Sequence, residues 1–374
     1  MTDRKFDPSM FEMVQYEKDL KDDTFEMEPI SYFKDAWIRL RKNKASIVSM
    51  YIILLISFLS IFGPSLNKYG FNDQNVNKIN FPPRVEAFAK IGFWDGGRLL
   101  ENRAVANLDD IERYPLGSVL EVKNVRTFKG VEMADVEVDF YKYNNIESED
   151  HWFGTDYLGR DLWTRMWRGS RVSLMIALLS VTTNIIIGVI YGAVAGYYGG
   201  KVDMVLMRFA EIIDAFPQIV IITLFIMYFG TGLFSIIMAL VIKGWVPTAR
   251  MIRSQFLRFK NREYVLAART LGVPDMSLIF RHILPNSIGP IITRAMIAIP
   301  GAIFSESFLA FIGLGLQAPE PSIGVLLSEG QKNLLHFPYQ VFFPAILISV
   351  LMISFNLFSN GLRDAFDPTM RGQD

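Results

Sequence analysis

The stretch from Val172 to Tyr197, VSLMIALLSVTTNIIIGVIYGAVAGY, carries no charged side chain. At 1.5 Å per residue, about 20 apolar residues cross the roughly 30 Å of hydrocarbon in a bilayer, so the stretch predicts a membrane-spanning helix. Gly188, Gly192 and Gly196 recur every fourth residue and share one face of it. With no side chains on that face, a second helix can approach backbone to backbone, which puts this span in the interior of a bundle.

Toward the N-terminus, Ile47 to Leu66 is also uncharged and follows a basic cluster of Lys34, Arg39, Arg41, Lys42 and Lys44. Such a cluster resists translocation and is expected in the cytoplasm. Toward the C-terminus, Ala215 to Val246 is too long for one span and short for two. The break at Gly230-Thr231-Gly232 predicts a hairpin of two short helices, with Lys243 snorkelling to the interface near the end of the second. Ile288 to Ile312 and Phe342 to Phe358 bring the expected number of spans to six.

Charge placement supplies an independent check. Residues 250–286 carry Arg250, Arg253, Arg258, Lys260, Arg262, Arg269 and Arg281 against only Glu263 and Asp275, whereas Lys332 is the sole basic residue of 313–338. The first segment should be cytoplasmic and the second external, and six spans from a cytoplasmic N-terminus reproduce both. The expected organisation is a cytoplasmic segment over 1–45, a first span over 46–66, an extracellular region over 67–171, a five-helix core over 172–360 holding the cytoplasmic loop 250–286, and a tail over 361–374. Both termini are then cytoplasmic, in a multi-pass protein of the plasma membrane. The polar first 45 residues and the absence of a small-residue cleavage pattern predict that the N-terminus is retained.

Within the extracellular region, Val119 to Val125 and Val131 to Phe140 alternate with period two. This predicts a small β-rich insert over 71–148, or else a partly ordered loop, because an insert of that size has little core. The fold class expected is an all-α integral membrane protein with this insert.

Composition narrows the chemistry. The 374 residues include no cysteine, so disulfides, thiolate metal sites and a thiol nucleophile are excluded. His151, His282 and His336 are too scattered to predict a histidine-rich metal site. The 38 basic and 38 acidic residues balance, leaving no overall field for nucleic acid. No phosphate-binding G-x-x-x-x-G-K-[ST] pattern occurs, so ATP is not bound by that route. No cofactor, metal or catalytic residue is expected in the chain.

Three segments carry the functional signal. In Glu263-Tyr-Val-Leu-Ala-Ala-Arg-Thr-Leu-Gly272 the residues from Arg262 to Leu271 favour a helix, Gly272 sits at the C-cap and Pro274 prevents continuation. A second short helix should follow. Ala267 and Ala268 offer a close-contact surface flanked by basic side chains, suited to docking on a partner; the plainer alternative is a basic cytoplasmic hairpin. The segment resembles the coupling loop of ABC-importer permeases, E-A-A, three residues, G, nine residues, I-x-L-P. Ala267, Ala268, Gly272, Leu284 and Pro285 match, while Leu266 and His282 replace the family's Glu and Ile. The resemblance implies that Glu263, Ala267, Ala268, Gly272, Leu284 and Pro285 couple the chain to a separate ATPase.

The second segment, His151-Trp-Phe-Gly-Thr-Asp-Tyr-Leu-Gly-Arg-Asp161, is followed by Arg165 and Arg171. Read by itself it is an ion-paired approach to a helix; His151 with Asp156 and Asp161 could also be read as a hydrolytic or metal site. It is similar to the H-x-x-G-T-D-x-x-G-R-D signature of the second permease subunit in the dipeptide, oligopeptide and nickel importer branch. The third segment, Glu306 to Gly315 with Phe355-Asn-Leu and Asn360 to Pro368, resembles the same branch, although Ile323 stands where the family has tryptophan. Glu306 is ionisable within a span and so is expected to line the pathway or to lock a partner permease.

The resemblance covers 151–371 densely and 34–66 loosely. It implies the type I (MetI-like) importer permease fold with six transmembrane helices and a non-catalytic role in peptide import. It also implies a homologous first permease, two ATP-binding subunits that hold ATP and Mg, and an extracellular peptide-binding lipoprotein. Nickel, glutathione or another small solute is an alternative cargo. An ion-coupled secondary transporter is the alternative of another class, and it would require interrupted spans with mid-membrane carboxylates and an internal repeat. Neither is read here, since Glu211 and Asp214 fall where the third span meets the cytoplasm.

Overall fold

The computed structural model describes residues 32–89, 94–146 and 149–366, so most of the expected N-terminal segment and the end of the expected tail lie outside the described residues. Helix α1 (Tyr32–Lys42) is separated from α2 (Lys44–Phe62) by Asn43, whose side-chain oxygen accepts the Ser46 backbone N–H at 3.2 Å and caps the second helix. The long helix α3 (Leu162–Tyr198) leads into α4 (Gly200–Ala215), and Pro217 separates that from α5 (Gln218–Phe229). Helices α6 (Leu233–Gly244) and α7 (Val246–Phe259) run on with little interruption. Then come α8 (Glu263–Thr270), α9 (Ile288–Phe311), the short α10 (Ile323–Gln331) and α11 (Tyr339–Phe366).

Among the described residues five helices are long and apolar enough to cross a membrane: Lys44–Leu66, Leu162–Tyr198, Leu233–Phe259, Asp275–Phe311 and Tyr339–Phe366. A sixth span arises only if α4 and α5, bent by 78°, are taken together. The glycine break at 230–232 does separate two helices as expected, but the second runs on through α7 to Phe259, past the apolar run. Arg250, Arg253 and Arg258 ride on α7 and not on a loop. They can do so because Asp203 takes Arg253 and Asp214 takes Arg250 at 2.9 Å, so the helix continues past the point where hydropathy falls.

The start of α3 departs from expectation in the same way. It begins at Leu162, ten residues before the uncharged run, and so absorbs Arg165, Arg168 and Arg171. Arg171 donates to the carbonyls of Ser60 at 2.9 Å and Ile61 at 2.6 Å, satisfying the open end of α2. Arg168 pairs with Glu320 at 3.1 Å. Arg168, Arg171, Arg250 and Arg253, which hydropathy assigns to loops, each have a partner supplied from elsewhere in the fold.

Helix α3 is the hub, packed by α2, α6, α7 and α9. The glycine stripe faces α7, where a Cβ added at Gly192 would sit 2.9 Å from the Ile252 Cβ and one at Gly196 would sit 2.6 Å from the Phe256 Cβ. Only hydrogen fits between these backbones. A second contact joins α2 to α11, where Ser46 Oγ donates to the Leu357 carbonyl at 3.2 Å.

The insert holds a three-stranded antiparallel sheet in the order β1-β3-β2, from β1 (Gly97–Ala104), β2 (Val119–Phe128) and β3 (Val131–Asp139). The two alternating runs of the sequence are β2 and β3. β1 has no alternation to announce it; its sequence, GRLLENRA, is a strand because β3 offers it a partner edge. Ala134, Val136 and Val138 of β3 join Phe81, Leu100, Phe140 and Tyr141 in a core of their own.

Candidate functional site

At one end of α3 lies the segment from Glu263 to Ser287. Helix α8 closes in a Schellman motif: the Gly272 N–H donates to the Arg269 carbonyl at 3.0 Å and the Val273 N–H to the Ala268 carbonyl at 3.2 Å. The motif requires a left-handed residue, and Gly272 has φ +81°. Pro274 then starts a short helical turn (Asp275–Ser277) that does not stop as expected. It continues through a widened turn at Leu278–Ile283 and a tight turn at Leu284–Ser287 straight into α9. The widening absorbs Pro285, whose ring cannot sit over the carbonyl four residues before it; the Leu284 N–H reaches back to the Ile279 carbonyl instead.

The segment has two sides. Val265 and Ala268 are buried against Ile252, Phe256, Leu278, Ile279 and Ile283, with Leu284 packed at the edge of that cluster. Ala268 therefore faces this chain's own core, which corrects the expectation that both alanines form an outer surface. Its size matters for the close seating of α8 on the bundle. Outward stand Glu263, Ala267, Gly272 and Pro285, together with Leu271 at 84% exposure, Met276 at 62% and Phe280 at 49%. The three large apolar side chains are the part of this surface that motif spacing misses. They belong to no spaced pattern, and their only signal is hydrophobicity in a basic loop.

The segment is tied down at its sides. Tyr197 Oη donates to Asp275 Oδ1 at 2.6 Å, Asn286 Nδ2 donates to the Tyr264 hydroxyl at 3.2 Å, and Lys260 Nζ donates to the Gly196 carbonyl at 3.0 Å. Burial raises the pKa of the Tyr264 hydroxyl, so it stays protonated at neutral pH.

At the other end of α3, about 55 Å away by helix length, the His151–Asp161 segment resolves into two clusters. Asp161 caps α3: one oxygen accepts Thr164 N at 2.9 Å, Thr164 Oγ1 at 2.8 Å and Asn67 Nδ2 at 2.8 Å, and the other pairs with His151 Nδ1 at 2.8 Å. Tyr69 stacks on the His151 ring at 4.2 Å. In the second cluster Asp156 binds Arg160 Nε at 2.7 Å and also Arg165. Both guanidiniums reach Glu329 of α10, at 3.2 Å from Arg160 and 2.8 Å from Arg165. Burial alone would lower the Arg160 pKa; the charges of Asp156 and Glu329 outweigh it and hold the pKa above its ordinary value.

Asp156 and Asp161 thus serve different clusters, and of the two only Asp156 pairs with Arg160 and Arg165. Glu329 was not singled out from the sequence. A signal for it existed, because residues 151–171 carry more arginine than acid and Glu320 and Glu329 are the acids of 313–338.

Glu306 is fully buried within this chain. Its Oε2 accepts Ser173 Oγ at 2.8 Å, and that hydroxyl oxygen accepts the Ile323 N–H at 3.2 Å, so α9, α3 and the start of α10 meet at one carboxyl. Its other oxygen, Oε1, is buried and has no hydrogen-bond partner among the described residues.

Comparison with known proteins places these features in context. The family model described as binding-protein-dependent transport system inner membrane component matches residues 172–372. A second, the N-terminal TM domain of oligopeptide transport permease C, matches residues 31–83. The chain is 35% identical over 366 residues to the dipeptide transport system permease protein DppC of Bacillus subtilis, covering 97% of this chain and 94% of the relative. It is 35% identical over 342 residues to the oligopeptide transport system permease protein OppC of the same organism, covering 91% of each. The glutathione transport system permease protein GsiD of Pectobacterium atrosepticum is 35% identical over 238 residues, 64% of this chain and 79% of the relative.

Proposed function

The chain belongs to the family of binding-protein-dependent transport system inner membrane components, and on that premise we propose that it is the second permease subunit of an ATP-driven peptide importer. It forms half of a translocation pore with a homologous first permease. Two ATP-binding subunits, which hold ATP and Mg, sit below it, and an extracellular lipoprotein delivers peptide from above. Peptide cargo is favoured by the dipeptide and oligopeptide relatives, both matched over more than nine-tenths of the chain; the glutathione relative is matched over less.

The observation that carries the reading is the build of the segment from Glu263 to Ser287. Val265 and Ala268 fasten it to the bundle while Leu271, Met276 and Phe280 stand free among the exposed Arg258, Arg262 and Arg281. Apolar anchors rimmed by cations suit a groove on another subunit. Because the same segment passes without a break into α9, a push on it moves a span as a lever, and closure of the ATPases on nucleotide can switch the pore between two packings. The basic segments 34–44 and 250–286 then lie in the cytoplasm with both termini, in the plasma membrane.

The chain's lack of cysteine makes the test simple. Leu271→Cys, made in cells expressing the whole importer, should resist an impermeant maleimide until the membrane is opened, and the ATPase subunits should then protect it. Labelling from the medium in intact cells would refute the orientation. Purification of the chain free of any ATPase, with Leu271→Cys equally reactive in both settings, would refute the coupling role.

A further inference from the structure

Helix α1 ends where α2 begins, yet it is not a continuation of that span. Asn43 leaves the helical region, with φ −84° and ψ 96°, and restarts the chain as a new helix. The inner face of α1 carries Ala36 and Leu40, both buried against Ala365, with Phe358 and Leu362 beside them at the last turns of α11. α1 therefore sits where the first and last spans leave the apolar layer. That position alone puts it at the boundary between hydrocarbon and water.

Its other face is composed for that boundary. Trp37 is 42% exposed and Ile38 is 41% exposed, and the exposed Lys34, Arg41 and Lys44 surround them. The Arg41 guanidinium lies 5.3 Å from the Trp37 ring, so charge and aromatic surface stand together on this face. Asp35 is the one acid of α1, and it pairs with Arg39 at 3.0 Å. α2 is the least enclosed of the candidate spans, with 22% of its window buried, and its Val48, Tyr51, Leu54 and Leu55 are exposed. The outward surface of α1 is continuous along the chain with this exposed apolar surface.

We propose that α1 is a docking surface for acidic phospholipid headgroups: Trp37 and Ile38 enter the acyl boundary while Lys34, Arg41 and Lys44 hold the phosphates. Aromatic and aliphatic side chains beside lysine and arginine on a short amphipathic helix bind a bilayer through both area and charge, and the charge part needs anionic lipid. The bound headgroups then clamp α1 onto α11, fixing the first and last spans to each other. The inference does not depend on which side of the membrane α1 occupies, so it stands or falls separately from the importer reading.

The test uses the full chain with Ile38→Cys carrying a nitroxide, in nanodiscs of phosphatidylcholine alone or mixed with phosphatidylglycerol. Accessibility to oxygen and to a water-soluble nickel chelate reports depth. In the mixed bilayer the label should be oxygen-accessible and several-fold less exposed to nickel than in phosphatidylcholine. High salt or the triple variant Lys34→Gln, Arg41→Gln, Lys44→Gln should abolish that difference. A matched variant on the insert, Lys129→Gln, should leave it intact. Equal accessibility in the two lipids overturns the proposal. It is also overturned if the label is shielded in both lipids and becomes exposed on removal of residues 2–30. In that case the stretch containing Asp19, Asp22, Asp23, Glu26 and Glu28, and not the headgroup, covers the basic face.

Discussion

Glu329 completes a cluster whose other members, Asp156, Arg160 and Arg165, lie close together in the chain. Two buried guanidiniums need two carboxylates, and an uncompensated buried charge costs far more than an intact pair gains. Glu329→Gln keeps the shape and removes the charge. With Glu329 partly open to water the expected loss is about 1–3 kcal/mol, read as a lower thermal midpoint in detergent. An unchanged midpoint would mean that Asp156 alone balances both arginines. Glu149 answers to pH. Burial pushes its pKa up, but the hydrogen bond and charge of Lys78, with the Tyr69 hydroxyl, bring it below the ordinary carboxylate value. A carboxyl lowered on folding stabilises the fold at neutral pH and loses that contribution as pH falls through its folded value. The midpoint should therefore drop on acidification below about pH 4, less steeply in Lys78→Met, where the folded pKa returns toward the unfolded one.

Helices α3 and α7 meet through the glycine stripe, and the surface is specified by what is missing from it. A branched side chain at Gly192 would run into the Ala249 carbonyl and Ile252, neither of which is a flexible tip. Gly192→Val should cost about 1–3 kcal/mol by overpacking and shift the crossing of the two helices. The measurement is the fraction of monodisperse protein after solubilisation together with its melting point. Wild-type behaviour in both would show that the crossing can open without loss. The sheet of the insert shows the opposite economy: β1 owes its strand to pairing with β3, so its own sequence carries little sign of it.

Across the whole molecule, the insert and the bundle have separate cores joined by aromatic contacts, such as Trp94 stacked on Phe343 at 6.1 Å, and by a few polar ties. Gln340 at the start of α11 donates to Asn80 Oδ1 at 2.8 Å and to the Thr155 carbonyl at 3.1 Å, while the Tyr339 hydroxyl donates to that carbonyl at 3.2 Å. Gln340→Leu should leave the spans intact and loosen the insert, raising proteolysis within residues 97–139 severalfold; cleavage at the wild-type rate would place the tie elsewhere. Spans were legible because hydrophobicity adds residue by residue against a fixed bilayer thickness, and the Gly272 cap was legible because left-handed backbone selects its residue locally. The same holds for the glycine stripe and for the spacing from Ala267 to Pro285. By itself the sequence therefore determined a multi-span bundle, a capped helix in a basic loop and two of three strands. Tertiary structure alone decided that Ala268 turns inward, that one oxygen of Glu306 accepts from Ser173, that Glu329 neutralises two arginines and that α3 starts at Leu162. The reason is that burial and pairing belong to whichever distant segments meet, and no residue carries that information in its own neighbourhood.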